Sequence, residues 1–331
     1  MEISVVIPNF NNAQYLSDCI ESAIAAIRGF SAEIVFLDDC STDNSLHIAN
    51  QYSDYINIFK NEKNLGQVEA TNKVLGLSKG KYAVILHSDD ILKKHFFSSL
   101  LPLISTYPNI VMAVGEREEI NEIGEIITVI SPFWERDCII NGLKHSETFL
   151  FTGYLPCQVL FDRNKILAFG GAEKGVTTNL DGLLWFKASF FGDVAYTRKP
   201  VACYRKHGTS ATSALNTSVK HIFEYATTMS RMFLFADEMG HSLLDFKDRA
   251  FKRVAEISLR YAREIYNTKS STLSTAYLQI SRAIDPSITE NADYKDLVIA
   301  MDNSASLSSS YWSRSYSYTV PDGSKILGDK N

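Results

Sequence analysis

The sequence lacks the patterns typical of small disulfide-bonded, zinc-knuckle and membrane-spanning proteins. Its five cysteines are scattered and none forms a C-x-x-C pair, so neither a disulfide framework nor a zinc knuckle is indicated. No uncharged apolar run reaches the roughly 18 residues that a membrane span needs, and no basic segment precedes the first apolar stretch. We therefore expect a soluble, cytoplasmic protein whose thiols are reduced and buried.

A strong charge bias and the common phosphate-binding loops are also absent. The sequence has 33 Lys and Arg against 38 Asp and Glu, and this net charge of −5 argues against a dedicated nucleic-acid binder with a strong basic footprint, although it leaves room for a local basic patch. It has no G-x-x-x-x-G-K-[ST] loop, and no G-x-G-x-x-G follows the first predicted strand. Neither a P-loop hydrolase nor a dinucleotide-dependent dehydrogenase is supported.

What the sequence does contain, at its start, is an alternation of short β-rich runs with helical patterns. Between the first two runs, apolar residues recur at helical spacing from Leu16 to Ile27. This alternation predicts an α/β fold in which helices connect the strands of a parallel sheet. The predicted strands are Ser4–Ile7, Glu33–Leu37, Ile56–Phe59 and Tyr82–Leu86.

Polar clusters follow three of these strands, where ligands of open α/β sheets bind. They are 8–12, 38–43 and 87–90. Each cluster alone also fits turns and helix caps. Two carboxylate pairs, Asp38-Asp39 and Asp89-Asp90, would however repel each other at one sheet edge unless a cation or a donor-rich ligand offset the repulsion. Mg²⁺ or Mn²⁺ together with a diphosphate is the ligand pair that this chemistry favours.

The ordered set of motifs resembles glycosyltransferase family 2, whose enzymes have the GT-A fold. The resemblance covers about residues 1–212, and its segments are Ser4–Asn12, Leu37–Ser45, Asn64–Gly66 with Asn72, Gly80–Tyr82, Ser88–Asp90, Phe161–Arg163, Gly170-Gly171, Asp181–Trp185 and Tyr204–His207. It implies a Rossmann-like, mostly parallel sheet flanked by helices. It also implies inverting, metal-assisted, non-processive transfer of a sugar from a nucleotide-diphosphate donor to an acceptor hydroxyl. The expected acceptor is a saccharide or lipid-linked saccharide in the synthesis of a surface polysaccharide or glycoconjugate.

The same resemblance implies a role for each matching residue. Asp181 would be the catalytic base, and Arg205 would contact the diphosphate. A divalent metal, Mn²⁺ or Mg²⁺, would be held by Asp89, Asp90 and His207. The donor nucleotide would be bound by Pro8, Asn9, Asp38, Asp39, Asn64, Gly66, Ser88 and Asp89. Because adjacent residues of an extended strand face opposite sides, we expect one of Asp89 and Asp90 to bind metal and the other to hold ribose or a metal-bound water.

Several positions depart from the family pattern and keep other functions open. His87 stands where the family usually has Asp, and Leu180 stands where it commonly has Glu. These departures favour, as the alternative, a catalytically silent subunit that binds nucleotide-sugars or serves in assembly. A sugar nucleotidyltransferase ranks third, because its Gly-rich basic N-terminal loop is missing. Asp181 also fits a plain helix start, and residues 204–208 also fit a solvated basic turn.

The sequence predicts three regions. A GT-A catalytic domain would cover residues 1–215, with a donor half over about 1–115 and an acceptor half over about 116–215. Apolar stripes predict a helical subdomain over residues 216–303. The basic residues of this subdomain suit binding to an anionic lipid surface, which would place the protein peripherally at the inner face of the plasma membrane. The acidic residues scattered among them favour the alternative, a face exposed to solvent. Residues 304–331, rich in Ser and Tyr, are expected to form a flexible tail.

Overall fold

The chain folds into two units. The structure is a computed structural model that describes residues 1–128, 131–176, 179–208, 218–266, 271–307 and 317–328. The first unit contains residues 1–206 and the C-terminal segment 317–328, and the second begins at His207. The predicted domain boundary at residue 215 therefore falls later than the observed one.

The first unit opens with four strands that alternate with three helices, as predicted. On α1, the residues Leu16, Ile20 and Ala23 are fully buried because they recur on one face of the helix. The strands are β1 (Ile3–Asn9), β2 (Ala32–Asp38), β3 (Asn57–Lys60) and β4 (Tyr82–Ile85). The helices are α1 (Ala13–Ala26), α2 (Ser45–Asn50) and α3 (Gln67–Leu77).

After β4 the described part of the first unit continues with two long strands, four short ones and four α-helices. α6 begins at Arg163 because the Asp162 carboxylate accepts hydrogen bonds from the backbone N–H groups of Asn164 and Lys165. The strands are β5 (Ile91–Leu92), β6 (Ile110–Ile120), β7 (Ile126–Thr128), β8 (Cys138–Ile140), β9 (Val159–Asp162) and β10 (Asp193–Arg205). The helices are α4 (Phe96–Thr106), α5 (Gly142–Phe149), α6 (Arg163–Ala168) and α7 (Leu180–Ala188).

One mixed sheet runs through the first unit. Strands β3, β2, β1 and β4 lie side by side and parallel, which confirms the predicted Rossmann-like half. Strand β9 is antiparallel to both β4 and β6, and β6 runs parallel to β10. The chain order reverses next to β1, so a crevice opens beyond the carboxyl ends of β1, β2 and β4. The polar clusters predicted from sequence follow these ends.

The expected flexible tail is wrong for residues 317–328. A short strand, β11 (Lys325–Ile326), pairs antiparallel with β8, and Leu327 N donates to Asp137 O at 2.8 Å. The Tyr318 ring lies against Phe133, with ring centroids 5.1 Å apart. The serine-rich composition does not predict that this segment is ordered. The segment is fixed by a few long-range contacts, namely two backbone pairings and one aromatic ring, which composition does not report. Residues 308–316 and 329–331 of the predicted tail lie outside the described residues.

The second unit is helical, as the apolar stripes predict. Its core includes Tyr277, whose ring stacks on that of Tyr261 with centroids 5.7 Å apart and whose carbonyl accepts from Ser258 Oγ at 2.7 Å. The helices are α8 (Lys220–Glu238), α9 (Lys247–Tyr266), α10 (Ser271–Ile284) and α11 (Ala292–Asp302). None of the helices in the described ranges is both long enough and apolar enough to cross a bilayer.

Candidate active site

The ends of β1 and β2 hold two of the predicted nucleotide-binding residues side by side. The parallel register pairs Asn9 with Asp38, and both are buried. Asn9 Nδ2 donates to Asp38 Oδ1 at 3.1 Å and to Ser41 Oγ at 3.2 Å, while Ser41 N donates to Asp38 Oδ2 at 3.0 Å. Asn9 Oδ1 is buried and accepts no hydrogen bond from the described residues. A buried oxygen without a partner is uncommon and marks a place where a ligand N–H would be accommodated. Pro8, the preceding residue, is half-buried.

Asp39 organises the turn that leads from β3 into α3. Its carboxylate is 2% exposed and accepts from Asn61 Nδ2 at 2.7 Å, from Leu65 N at 2.9 Å and from Gly66 N at 2.9 Å. Asn64 Oδ1 also accepts from Gly66 N, at 2.8 Å. Asp39, Asn64 and Gly66, predicted separately, therefore meet in one hydrogen-bonded turn.

A second set of hydrogen bonds joins the loops after β1, β2 and β4. Asn11, in the left-handed region with φ 53°, accepts from Thr42 N at 2.8 Å through Oδ1. Asn12 Nδ2 donates to Ser88 Oγ at 3.0 Å, and Ser88 is buried. The predicted nucleotide site is thus continuous with the Ser88-Asp89-Asp90 loop.

Asp89 and Asp90 have different environments, as their adjacency predicts. Asp90 is buried, and its Oδ1 accepts from Arg205 N at 3.0 Å. Burial, reinforced by the charge of Asp89 and opposed by His87, raises the pKa of Asp90 to about 7. Asp89 is half-buried and keeps access to solvent.

Asp181 lies in the first turn of α7 and faces the same histidine. It is half-buried, and its carboxyl accepts no hydrogen bond from the residues that the structure describes. Burial raises the pKa of Asp181, and the nearby His87 lowers it. The charge of His87 influences the pKa of both Asp90 and Asp181, so the start of α7 lies near the loop after β4.

Close packing sets the start of α7. Asn179 has a left-handed backbone with φ 59°, and a Cβ on Gly182 would lie 2.3 Å from Asn179 Oδ1. A side chain at position 182 would therefore displace the Asn179 amide group. Leu180 is 4% exposed, so the position where the family commonly has Glu is part of the core here.

Asn72 of α3 holds the loop that precedes α7. Its Oδ1 accepts from Ala172 N at 2.8 Å, and its Nδ2 donates to Ala172 O at 2.8 Å. Gly171 has φ 73°, and a Cβ there would lie 2.4 Å from Asn72 Oδ1. Asn72 was part of the sequence motif, but its link to residues 170–172 could not be read from spacing.

Arg205 and His207 occupy different units. Arg205, at the end of β10, is 1% exposed, and its Nε donates to Asp89 O at 2.9 Å. It is thus adjacent to the predicted metal site but buried beneath it, and a direct diphosphate contact stays a prediction. His207 is buried in the second unit, and its role as a metal ligand also stays a prediction.

The residues fit a metal site that is shared with a ligand. Within the described ranges, no three His, Cys, Asp or Glu side chains are arranged to hold an ion by themselves. Asp89 is half-exposed, whereas Asp90 is buried and bonded to Arg205 N. Mg²⁺ and Mn²⁺ prefer oxygen ligands, and Mg²⁺ commonly takes one or two protein carboxylates and completes its shell with substrate phosphates and water.

Two contributors to this region escaped sequence reasoning. Asn61 follows β3 and could have been found by the same rule that selected the other strand ends. Asp18 lies on the exposed face of α1, yet its Oδ2 accepts from Arg205 Nη2 at 3.0 Å. No spacing in the sequence signals that contact.

Comparisons with known proteins support the predicted family. The model of the family described as "Glycosyl transferase family 2" matches residues 4–166. Glycosyltransferase GlyG of Streptococcus pneumoniae is 34% identical over 101 residues, which are 30% of this chain and 33% of that protein. The putative teichuronic acid biosynthesis glycosyltransferase TuaG of Bacillus subtilis is 35% identical over 95 residues, 28% of this chain and 37% of that protein. The chain spans from one third to two thirds of the length of the curated relatives it matches first.

Solved structures share the fold over nearly the whole chain. Residues 1–349 of TarS from S. aureus, solved in complex with UDP-GlcNAc, align with a TM-score of 0.60 at 15% identity, over 92% of this chain and 93% of that one. The mannosyltransferase PcManGT of Pyrobaculum calidifontis, solved with GDP-Man and Mn²⁺, aligns with a TM-score of 0.53 at 13% identity, over 91% of this chain and 86% of that one. The GT-A fold expected from sequence is confirmed. The family match covers β1 to β4 and the carboxylates at their ends, and residues 4–166 of this chain form a glycosyl transferase family 2 domain.

Proposed function

We propose that this chain transfers a sugar from a nucleotide-diphosphate donor to a hydroxyl of a saccharide acceptor, with inversion at the anomeric carbon. The observation that carries the proposal is the convergence of the loop after β4 and the start of α7 on His87, next to the hydrogen-bonded loops after β1 and β2. Family membership and the names of the relatives support the same activity.

The donor nucleoside would bind at the ends of β1 and β2. The unpaired Asn9 Oδ1 would accept an N–H of the base. Asp38 and Asp39 hold the surrounding loops by hydrogen bonds, so the pocket is preorganised before the donor binds. Ser88, joined to Asn12, would line the path from the nucleoside to the diphosphate.

The leaving diphosphate carries negative charge that must be neutralised. Asp89 would hold Mn²⁺ or Mg²⁺, and the bound ion would supply that neutralisation. Asp89 is half-exposed, so it could bind an ion that also contacts the donor diphosphate. Asp90 is buried, and its hydrogen bond from Arg205 N holds the loop in place. We therefore assign direct metal contact to Asp89.

Asp181 would act as the general base. An acceptor hydroxyl would approach the anomeric carbon from the side opposite the diphosphate and give its proton to the Asp181 carboxylate. As the new glycosidic bond forms, the bond between the anomeric carbon and the diphosphate breaks, and the nucleoside diphosphate leaves with the electron pair. A carboxyl whose pKa is raised by burial holds a proton more strongly than an exposed one and suits this task. This single displacement inverts the configuration of the donor sugar.

The resemblance to family 2 favours stepwise addition of one sugar. The teichuronic acid relative supports a surface polysaccharide or glycoconjugate as the product. A lipid-linked acceptor would bring the protein to the inner face of the plasma membrane. The silent-subunit alternative rests on His87 and Leu180. Burial of Leu180 in α7 weakens it, because the departure fits the packing of this core.

The test is a panel of UDP-, GDP- and dTDP-sugars assayed with Mn²⁺, and with EDTA in its place, for thermal stabilisation and for release of nucleoside diphosphate. We expect one donor to stabilise the protein and to be hydrolysed slowly in a metal-dependent way. Binding without release would support the silent subunit, and pyrophosphate-dependent exchange would support the nucleotidyltransferase. If none of the donors stabilises the wild-type protein, the proposed function is wrong.

A further inference from the structure

The side chain of Arg205 joins three elements around the candidate metal site. Its Nε donates to Asp89 O at 2.9 Å, and its Nη2 donates to Asp18 Oδ2 of α1 at 3.0 Å. Its Nη1 donates to Glu122 O at 3.0 Å and to Asn121 O at 3.3 Å, in the turn between β6 and β7. The guanidinium therefore bonds to the loop after β4, to α1 and to a hairpin turn at once.

The backbone of Arg205 completes this arrangement. Its N–H donates to Asp90 Oδ1 at 3.0 Å, so one residue holds Asp89 by its carbonyl and Asp90 by its carboxylate. The guanidinium carbon also lies 4.8 Å from the centre of the Tyr15 ring, on the same helix as Asp18.

Burial and geometry separate this role from direct ligand binding. Arg205 is 1% exposed, and a diphosphate would reach the guanidinium only after some of these hydrogen bonds broke. The contacts use the planar fork of the guanidinium, and a lysine ammonium cannot reproduce several fixed directions at once. Hydrogen bonds to buried carbonyl groups are also costly to leave unmade.

We propose that Arg205 is a positioning residue that fixes the orientation of Asp89 toward the metal, and that Asp18 and Tyr15 of α1 hold Arg205 in place. The inference rests on the proposed function, because it assumes that Asp89 binds the cation. It assigns Asp18 and Tyr15 to the support of the site, although neither belongs to a recognised motif.

The experiment compares nucleotide affinity with and without the metal. UDP, GDP and dTDP are titrated calorimetrically into the wild-type protein, and the nucleotide that binds is used further. The gain in affinity on adding Mn²⁺ is then measured for Arg205→Lys and Asp18→Asn. The matched control is Arg263→Lys, since Arg263 of α9 is also buried and its Nη1 donates to Asp293 O at 2.7 Å, within the second unit.

We expect Arg205→Lys to reduce the Mn²⁺-dependent gain about tenfold, the size typical of losing a group that orients a metal ligand. Asp18→Asn should reduce the gain by a smaller factor, about threefold, because the Asn amide oxygen can still accept from Nη2 and the other three hydrogen bonds of the Arg205 side chain stay intact. Affinity without Mn²⁺ should change little in either variant, because Asn9 and Asp39 are untouched. Arg263→Lys should keep the full gain. A general loss of structure would instead weaken binding equally with and without the metal.

The outcomes separate the two proposals. If the wild-type protein gains affinity with Mn²⁺ and both variants keep that gain, the positioning role is wrong and the proposed function stands. If the wild-type protein binds no nucleotide of the panel, or gains nothing from Mn²⁺, the metal-assisted function fails and this inference fails with it. Asp18 is 60% exposed, so Asp18→Asn still folds and decides the question if Arg205→Lys does not.

Discussion

Two neighbouring edges of the site are built differently. The donor edge, defined by Asn9, Asp38, Asp39 and residues 61–66, is held by hydrogen bonds to nearly every carboxylate oxygen. The transfer edge, defined by residues 87–90 and Asp181, contains two carboxyls whose pKa values are raised by burial. If the proposed function holds, the donor edge is organised before the nucleotide binds, and the transfer edge keeps carboxyl groups that are costly to bury and are used in the reaction.

The sharpest test of this contrast is Asp181→Asn. We expect kcat to fall by about 10²–10⁴-fold, the usual contribution of a general base, with the affinity for the donor unchanged. The free energy of unfolding should stay constant or rise, because a carboxyl whose folded pKa is raised is destabilising at neutral pH and the amide removes that charge. Steady-state kinetics and urea denaturation measure the two effects. Near-normal turnover would show that Asp181 is not the base.

Acid should weaken the half of the first unit that carries α7. His145 of α5, which packs against α7, is fully buried, and burial lowers its pKa to about 3. The unfolded chain binds a proton below the ordinary histidine pKa of about 6.5 and the folded chain does not, so stability is complete above that pH and declines toward pH 3. His145→Gln should flatten this decline by about 1.4 kcal/mol per pH unit in urea denaturation. An unchanged slope would contradict the assignment.

At the donor edge, Asp39→Ala should cost both stability and affinity. The substitution removes the acceptor of Asn61 Nδ2, Leu65 N and Gly66 N, and we expect the free energy of unfolding to fall by about 3 kcal/mol. Nucleotide affinity should fall with it, because the turn loses its organising group. Lys63→Ala, an exposed change in the same turn, is the control and should be neutral. Equal stability of the two variants would remove the contrast between the edges.

The smallest expected effect is at the link between α3 and the loop before α7. In Gly171→Ala, the added Cβ must displace Asn72 Oδ1, and alanine must also adopt a left-handed backbone. We therefore expect the free energy of unfolding to fall by about 2 kcal/mol. Gly170→Ala is the matched control. Gly170 also has a left-handed backbone, with φ 90°, but no heavy atom lies within 4 Å of the added Cβ. We therefore expect its free energy of unfolding to fall by only about 1 kcal/mol. Thermal unfolding ranks the two. A larger loss at Gly170 would mean that the Asn72 contact is unimportant.

Sequence reasoning found the strands and the polar groups at their ends because both depend on local pattern. β1, β2, β3 and β4 each lie within one or two residues of the predicted bounds. The parallel pairing of Asn9 with Asp38 follows from that pattern once the strand order is known. The family motif added Asp181, which spacing alone leaves as a plain helix start.

What the sequence could not supply are contacts between distant side chains. Arg205 carries the expected charge, but its partner Asp18 lies 187 residues away and belongs to no motif. Asp39 was expected to touch the donor, yet its oxygens accept from the 61–66 turn. Such contacts depend on the final packing of helices and loops, which periodicity does not report.

Because β11 pairs antiparallel with β8, the sheet of the first unit can be completed only after the C-terminal segment has been synthesised. A ribosome releases the chain from the N-terminus onward, so β8 emerges nearly two hundred residues before its partner strand. Until then Phe133 packs against Trp134 and Tyr154 but lacks its contact with Tyr318, so this aromatic cluster is completed only when the C-terminal segment has been made.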